Sequence, residues 1–485
     1  MSSTLRTEEL AARPVRSSHA LLVVALVFAE ITAAFETTMV FTAMKQLFEE
    51  YQNTAAVGWV LSAYLLVGGA ASAICGRLGD LFGRRAILLV ALAAAGMGSM
   101  VSALAPTLAG VVVGRAIQGM SAATLPLELG IARERLPSAF LPTAVGLVTG
   151  TATIGGVLGM VVGGVIVDNY GWRYIFVASS VLAFISFIVC WIAIPRSTPV
   201  KNDKPIDIVG GLLFAPAVVG VLYAISAAHT WQLDWRFWSL LAVSAILIVL
   251  WIRHELRHRF PLIDVRLLAR PGIALPNAAL GFCALGAFQF SPLVLLLLQQ
   301  PMWTGIGLGL SATVAAFVKV PGNLTAALFS PVSGFLCGRV GGPLVVAVGM
   351  GATAVACVAV ALMPNHFVTI VLATVLAAVG TSATYIAVPN ILLATAPKDR
   401  ISETAGVSSV VRAISMAIGS QLMIAILASS RVADPEHAGS LPSAKAYVLT
   451  LAAIAVSCVF GAACGALSRR TGGKMTAQHA AHESA

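Results

Sequence analysis

The stretch AEITAAFETTMVF, Ala29 to Phe41, sets two carboxylates, Glu30 and Glu36, inside an apolar run that begins near Ala20. Three cations lie in similar surroundings further along: Arg115, Lys319 and Arg412. An ionisable group in hydrocarbon costs roughly 2.5–3.5 kcal/mol on insertion scales, so each is a candidate for function. The chemistry open to such groups is proton exchange. Desolvation drives a carboxyl towards its neutral form and a nearby cation drives it back, so moving the cation moves the proton.

Spacing limits the pairings. Glu36 and Arg115 each lie about 12 Å inside the outer end of their runs, at matching depth for an ion pair. Glu30 precedes Glu36 by six residues, which turns it by about 120° onto another helix face, near the midplane with Ala33, Ala34 and Thr37. Glu36 shares its face with Thr32, Met39 and Val40. Lys319 falls in the outer half of its run and Arg412 nearer the inner half. Glu128 sits near an inner end, where its carboxylate is expected to reach the interface. Glu36 and Arg115 are therefore the expected proton-coupling groups. Glu30, Lys319, Arg412 and Gln118 are the further candidates for a substrate or proton site. Tyr64, Phe288, Phe290 and Tyr385 read as packing aromatics rather than ligand contacts.

The elements that must position these groups follow from composition. Of 485 residues 58% are hydrophobic and only 10% charged, with a mean hydropathy of +0.92. So little charge cannot cover a soluble chain of this length, and a polytopic membrane protein is implied. The net charge of +10 does not point to nucleic acid, because the basic residues sit between apolar runs. Seven cysteines (Cys75, Cys190, Cys283, Cys337, Cys357, Cys458 and Cys464) show no CxxC or ligand-like spacing. No nucleotide-binding loop, GxSxG elbow or HExxH is present. The expectation is no enzyme, no metal and no cofactor.

Apolar runs of roughly 20 residues can each cross as a helix. They fall near 20–44, 55–76, 86–105, 107–132, 140–167 and 173–194, then 207–228 and 235–252. Six more follow near 272–299, 311–337, 343–363, 366–390, 404–428 and 446–468, for about fourteen spans. No cleaved signal peptide is expected, since RPVRSSH leads into a run long enough to span. With the N-terminus inside, about 22 of the 30 Lys and Arg residues fall on the inner side, which sets both termini in the cytoplasm. The expected organisation is a tail (1–19), a six-helix bundle (20–195) and a linker with two additional helices (196–270). A second six-helix bundle (271–468) and a tail (469–485) complete it.

Two sequence features support a repeat and close packing. Cys75, Gly76, Arg77 and Gly79 after the second span match Cys337, Gly338, Arg339 and Gly341 after the tenth, as in transporters built from duplicated halves. Gly155, Gly159, Gly163 and Gly164 recur at helical spacing and suit close helix contact. The short loop GRLGDLFGRR, with Gly76, Asp80, Gly83, Arg84 and Arg85, is the most specific signal. Its glycines allow close backbones and its arginines hold it on the inner side.

That loop resembles the signature loop of the major facilitator superfamily, with Leu81 where a basic residue is common. The resemblance implies an all-α fold of two six-helix bundles plus two additional helices, and a loop that latches the halves. RAIQGMSAA, from Arg115, is similar to the family's Arg-x-x-Gln-Gly motif, whose arginine is associated with proton coupling. GGVLGMVVGG is similar to its antiporter glycine motif, with Met160 in place of proline. FETTMVFTAM and GVSSVVRAISMAIGSQL resemble the first and thirteenth spans of the fourteen-span drug:proton antiporter group. Glu36 stands there for an aspartate, and Phe41 and Lys45 depart from its Asn and Pro. The implied function is proton-coupled efflux of hydrophobic or amphipathic small molecules by alternating access, with the proton gradient as energy source and a bacterial inner membrane as location. The alternatives are a transporter of a specific organic anion, drawing on Arg115, Lys319 and Arg412, and a transporter-like sensor or scaffold, which short tails disfavour. The expected partners are a small-molecule substrate, protons and the lipid bilayer, with no signal for an oligomeric state.

Overall fold

A computed structural model describes residues 4–137, 141–196, 207–228, 230–258, 265–395, 401–433 and 440–483. Helix α1 (Thr4–Tyr51) leads through the short α2 (Thr54–Val57) to α3 (Trp59–Phe82) and α4 (Arg84–Leu104). The next span is broken: α5 (Leu108–Gln118) and α6 (Thr124–Arg135) are joined by a 3-10 turn, Gly119–Ala123. Then come α7 (Leu141–Tyr170) and α8 (Arg173–Ala193), followed by the hairpin of α9 (Ile208–Ala227) and α10 (Trp235–Arg257). After the short α11 (Val265–Leu268), a second broken span joins α12 (Pro271–Leu285) to α13 (Phe290–Gln299) through the 3-10 turn Ala287–Gln289. Helices α14 (Ala312–Val340), α15 (Gly342–Leu362), α16 (Phe367–Thr395), α17 (Ile401–Ala428) and α18 (Ala444–Glu483) complete the chain. A small antiparallel pair, β1 (Arg431–Ala433) with β2 (Ser440–Pro442), lies between α17 and α18.

Among the described residues thirteen helices are long and apolar enough to cross a membrane, and α3 adds a shorter apolar stretch, Trp59–Ser72. The protein is thus an all-α polytopic membrane protein with about fourteen spans. Large apolar side chains stand outward, including Leu328 (78% exposed), Leu362 (77%) and Ile192 (73%). Water would not tolerate such a surface, and hydrocarbon does.

Packing separates the helices into two groups. Helix α1 runs along α7 and α8, and α4 packs on α5 and α8. In the second group α15 packs on α16 and α18, α14 on α16, and α12 on α17 and α18. The groups meet through α3 against α17, α7 against α14, and α1 against α13. The α9–α10 hairpin leans on α17, where Val218 and Leu222 cover Ala417.

The meeting is tight at one end only. One apolar core runs through both groups near the end of α1, from Met39, Phe48, Val60 and Trp172 to Leu297, Ile306, Ala312 and Tyr447. At the other end of α1, Leu22, Leu26, Leu88, Leu127, Ile131 and Cys190 form a core confined to α1–α8. The halves are closed at the Tyr51 end.

The two repeated turns share a backbone geometry but not the register of the sequence match. Gly83 (φ 93°) joins α3 to α4 and Gly341 (φ 89°) joins α14 to α15, both in the left-handed region that favours glycine. The residue matched to Gly341 by Cys-Gly-Arg-x-Gly is Gly79, which lies one helical turn earlier, inside α3.

Candidate functional site

Arg115 is fully enclosed, at 1% exposure, in the last turn of α5. Its Nε donates to the Val60 carbonyl (2.9 Å), and its Nη1 donates to the Glu36 backbone carbonyl (3.1 Å) and to Gln118 Oε1. The guanidinium also lies over the Tyr64 ring, 4.2 Å from its centre. The ion pair expected from matched depth is not made: no Arg115 nitrogen comes within 4.0 Å of a Glu36 carboxylate oxygen. The physical reason is reach. An arginine at the depth of a glutamate can fork onto backbone carbonyls of neighbouring helices, and here it does.

The Glu36 side chain points instead towards α8. Ser179 Oγ donates to Glu36 Oε1 (3.0 Å), and Gln118 Nε2 donates to Ser179 Oγ (2.9 Å) and Ser99 Oγ (2.7 Å). Arg115, Gln118, Ser99, Ser179 and Glu36 therefore form one continuous buried polar network. Tyr64 adjoins it, its hydroxyl sharing hydrogen bonds with Thr37 (2.9 Å) and Ser121 (3.1 Å). Glu36 Oε2 is buried with no hydrogen-bond partner among the described residues. Every member of this network belongs to α1, α3, α4, α5, α8 or the turn after α5.

Glu30 faces elsewhere, as its 120° offset demands. Its carboxyl lies against that of Glu128 in α6, and Arg412 of α17 acts on it electrostatically from the second half. Glu30 is 6% and Glu128 0% exposed, and Glu30 Oε2 and both Glu128 oxygens have no hydrogen-bond partner among the described residues. Glu128 therefore does not reach the interface. The 3-10 turn Gly119–Ala123 changes the rise and rotation of the residues beyond it relative to a straight α-helix, and α6 runs on to Arg135, seven residues past Glu128. Arg412 stands over the Tyr385 ring (5.7 Å), and Tyr385 adjoins Phe288 (6.2 Å). Glu30 and Arg412 thus act on each other across the two halves, with Glu128 behind the acid and Tyr385 and Phe288 behind the arginine.

Lys319 is placed apart from these groups. It is buried at 3% exposure, with Nζ 5.8 Å from the centre of the Phe290 ring and no ion pair among the described residues. On α7, a Cβ at Gly155 would meet Ile31 O and Ala34 Cβ, each at 2.8 Å, and one at Gly159 would meet Phe35 O at 2.6 Å. Gly163 faces Met39 and Thr42, whereas Gly164 turns to the second half and sits against the Ala312 carbonyl. Around the turn between α3 and α4, Arg84 Nη1 donates to Gly130 O (2.7 Å), and Arg85 Nη2 donates to Trp191 O (2.7 Å). Gly83 forms the turn, and Gly76 lies within α3; the Asp80 side chain lies outside the described parts of the chain.

A two-part helical bundle with ionisable groups buried at and beside its seam is the architecture of a secondary transporter. The sequence profile of the Major Facilitator Superfamily matches residues 26–420, and the chain belongs to that superfamily. Relatives in it carry the names of transporters and resistance proteins.

The chain is 28% identical over 357 residues to "MFS-type transporter astH" of Aspergillus oryzae, covering 68% of this chain and 61% of that protein. It is 28% identical over 336 residues to the "Multidrug resistance protein B homolog" of Mycobacterium tuberculosis, covering 67% and 60%. "Multidrug resistance protein Stp" of the same organism is 26% identical over 408 residues, covering 81% and 74%. The chain thus spans about three fifths of the length of the first two curated relatives. Among solved structures, a peptide transporter POT in complex with sulfate shares the fold, with a TM-score of 0.68 at 16% identity over 93% of this chain and 95% of that one.

Proposed function

We propose that the protein exports hydrophobic or amphipathic small molecules in exchange for protons, by alternating access between α1–α8 and α12–α18. The halves would correspond to residues 20–195 and 271–468, with 196–270 as an insertion. Both termini would lie in the cytoplasm of a bacterial cell. The Tyr51 end is then outer, and the closed outer end makes this an inward-facing state.

The observation that supports this most is the Glu30–Glu128 pair within the electrostatic reach of Arg412. Two ionised carboxylates about 4 Å apart repel by about 4 kcal/mol at an effective dielectric of 20. One proton held between them removes that cost. Arg412, or a cationic substrate against Tyr385 and Phe288, does the same by supplying positive charge. Proton and substrate then compete for one place, which is the requirement for exchange. Because Arg412 belongs to the other half, rocking changes its hold on Glu30 and couples the proton to the conformational state. Glu36 and Arg115 supply a second proton position enclosed in the first half, where Oε2 has no other partner among the described residues.

Lys319 favours a second reading, transport of an organic anion, because it is a buried cation with no ion pair among the described residues. Inverted vesicles with an imposed proton gradient separate the two. Uptake of a cationic dye driven against proton movement supports exchange. Uptake of organic anions, with no dye movement, overturns it in favour of the second reading.

A further inference from the structure

The α9–α10 hairpin brings the residue that starts one helix against the last turn of the other. Asp207 caps α9, its Oδ1 accepting from Gly210 N (2.8 Å). On α10, His254 and His258 are four residues apart, so both project from one face. His254 Nε2 lies 2.9 Å from Asp207 Oδ1 and 3.1 Å from Oδ2, and His258 Nδ1 lies 3.8 Å from Oδ2. The two imidazoles stack with centres 5.2 Å apart. The carboxylate is 1% exposed, while the rings are 25% and 32% exposed, which leaves the solvent side open.

We infer that Asp207, His254 and His258 form a binding site for a divalent transition metal such as Zn²⁺. One donor atom from each residue lies within 4.8 Å of the other two. A tetrahedral ion with ligands at about 2.1 Å needs donors about 3.4 Å apart. Through Asp207 Oδ2 the two carboxylate–imidazole separations, 3.1 Å to His254 Nε2 and 3.8 Å to His258 Nδ1, bracket that value, and the two imidazole nitrogens lie within 4.8 Å of each other, so rotation of the exposed rings draws the three donors onto one ion. Two imidazoles and one carboxylate suit zinc, cobalt or nickel and disfavour magnesium and calcium, which prefer oxygen alone. Two histidines at i and i+4 on one helix face are a recurrent zinc-ligand arrangement. Three protein ligands leave a fourth position to water.

Two neighbours reinforce the site. Glu255 Oε1 is held by Trp251 Nε1 (2.9 Å), and a Cβ at Gly210 would meet both Asp207 Oδ2 and Glu255 Oε1 (2.8 Å). A second carboxylate beside the first adds negative potential for a cation. The metal would clasp the two additional helices at one end, while Gly220 against Ser244 already brings them close further along.

The test uses the full-length, untagged protein in detergent, stripped with chelator and titrated with Co²⁺ alone. The expected result is one equivalent of Co²⁺ with the visible bands of a four- or five-coordinate ion, displaced by Zn²⁺. His258→Ala leaves the Asp207–His254 contact intact. It should weaken Co²⁺ binding by more than the roughly 10–100-fold that outer-shell changes cost. X-ray absorption on Zn²⁺-loaded unmodified protein should show two imidazole ligands, and this readout needs no variant. Absence of stoichiometric binding overturns the inference. So does equal binding in a His254→Ala/His258→Ala double variant, or a spectrum without imidazole.

Discussion

Asp168 of α7 caps a helix in the opposite half, so its removal should shift the conformational balance. Its Oδ1 accepts from Ala312 N (2.9 Å) and its Oδ2 from Thr313 N (2.7 Å), two otherwise orphaned donors at the start of α14. These bonds exist only while α7 and α14 are in contact at the Tyr51 end. Replacing an N-capping acceptor by alanine costs about 0.5–2 kcal/mol, and loss of charge at a helix N-terminus adds about 0.3–1 kcal/mol. Asp168 is exposed, so the lower part of the combined range applies, about 1.5 kcal/mol. That is about tenfold in the ratio of closed to open at this end. Spin labels at Leu104→Cys and Leu362→Cys, 75% and 77% exposed, report the distance between the halves. The background replaces Cys337 and Cys464, the two free cysteines that are not fully buried. Asp168→Ala should raise the long-distance population about tenfold relative to the parent, and Asp168→Asn, which keeps one acceptor, should raise it less. An unchanged distribution in Asp168→Ala would refute the reasoning. It would leave the closure to contacts such as Ser62 with Ser420 (2.9 Å) and Gln421 (3.0 Å).

Three further outcomes are expected. Gly159→Val places a side chain on Thr38 Oγ1 and the Phe35 carbonyl, so it should destabilise the protein by about 1–3 kcal/mol. Thermal melting checks this against Gly351→Ala, where nothing lies within 4 Å of the new Cβ. Arg115→Lys cannot reproduce donation to Val60 O, Glu36 O and Gln118 Oε1 together. It should lower transport by at least about tenfold, since each charged hydrogen bond is worth about 1.5–3 kcal/mol; flux normalised to the amount of protein in vesicles measures it. Ser179→Ala removes the donor to Glu36 Oε1 and breaks the link from Gln118. Its pH profile of transport should shift while that of a Thr325→Ala control, whose hydroxyl bonds only within its own helix, does not.

The spans were legible because each must supply about twenty apolar residues, a requirement local to the segment. The glycine face of α7 was legible for a similar reason, since Gly155, Gly159 and Gly163 repeat every four residues along one stripe. Depth along α1 and α5 did bring Glu36 and Arg115 together, but depth leaves rotation and side-chain reach open. The guanidinium met the Glu36 backbone rather than its carboxylate. Glu128 was hidden by the broken helix. A 3-10 turn has a different rise and rotation, so the residues beyond it leave the stripe that a straight helix predicts. Asp207 and His254 are 47 positions apart, and only the antiparallel pairing of α9 with α10 joins them.

Proton release on ligand binding tests the central claim most directly. Purified protein in weakly buffered detergent solution, with a pH indicator, is mixed with the cationic dye ethidium. The account predicts that the parent protein releases protons as the dye binds. Glu30→Gln and Glu128→Gln should release none, at dye concentrations where fluorescence still reports binding. Undiminished release from Glu30→Gln, with release lost in Glu36→Gln, would contradict the account and place the exchange within the enclosed network of the first half.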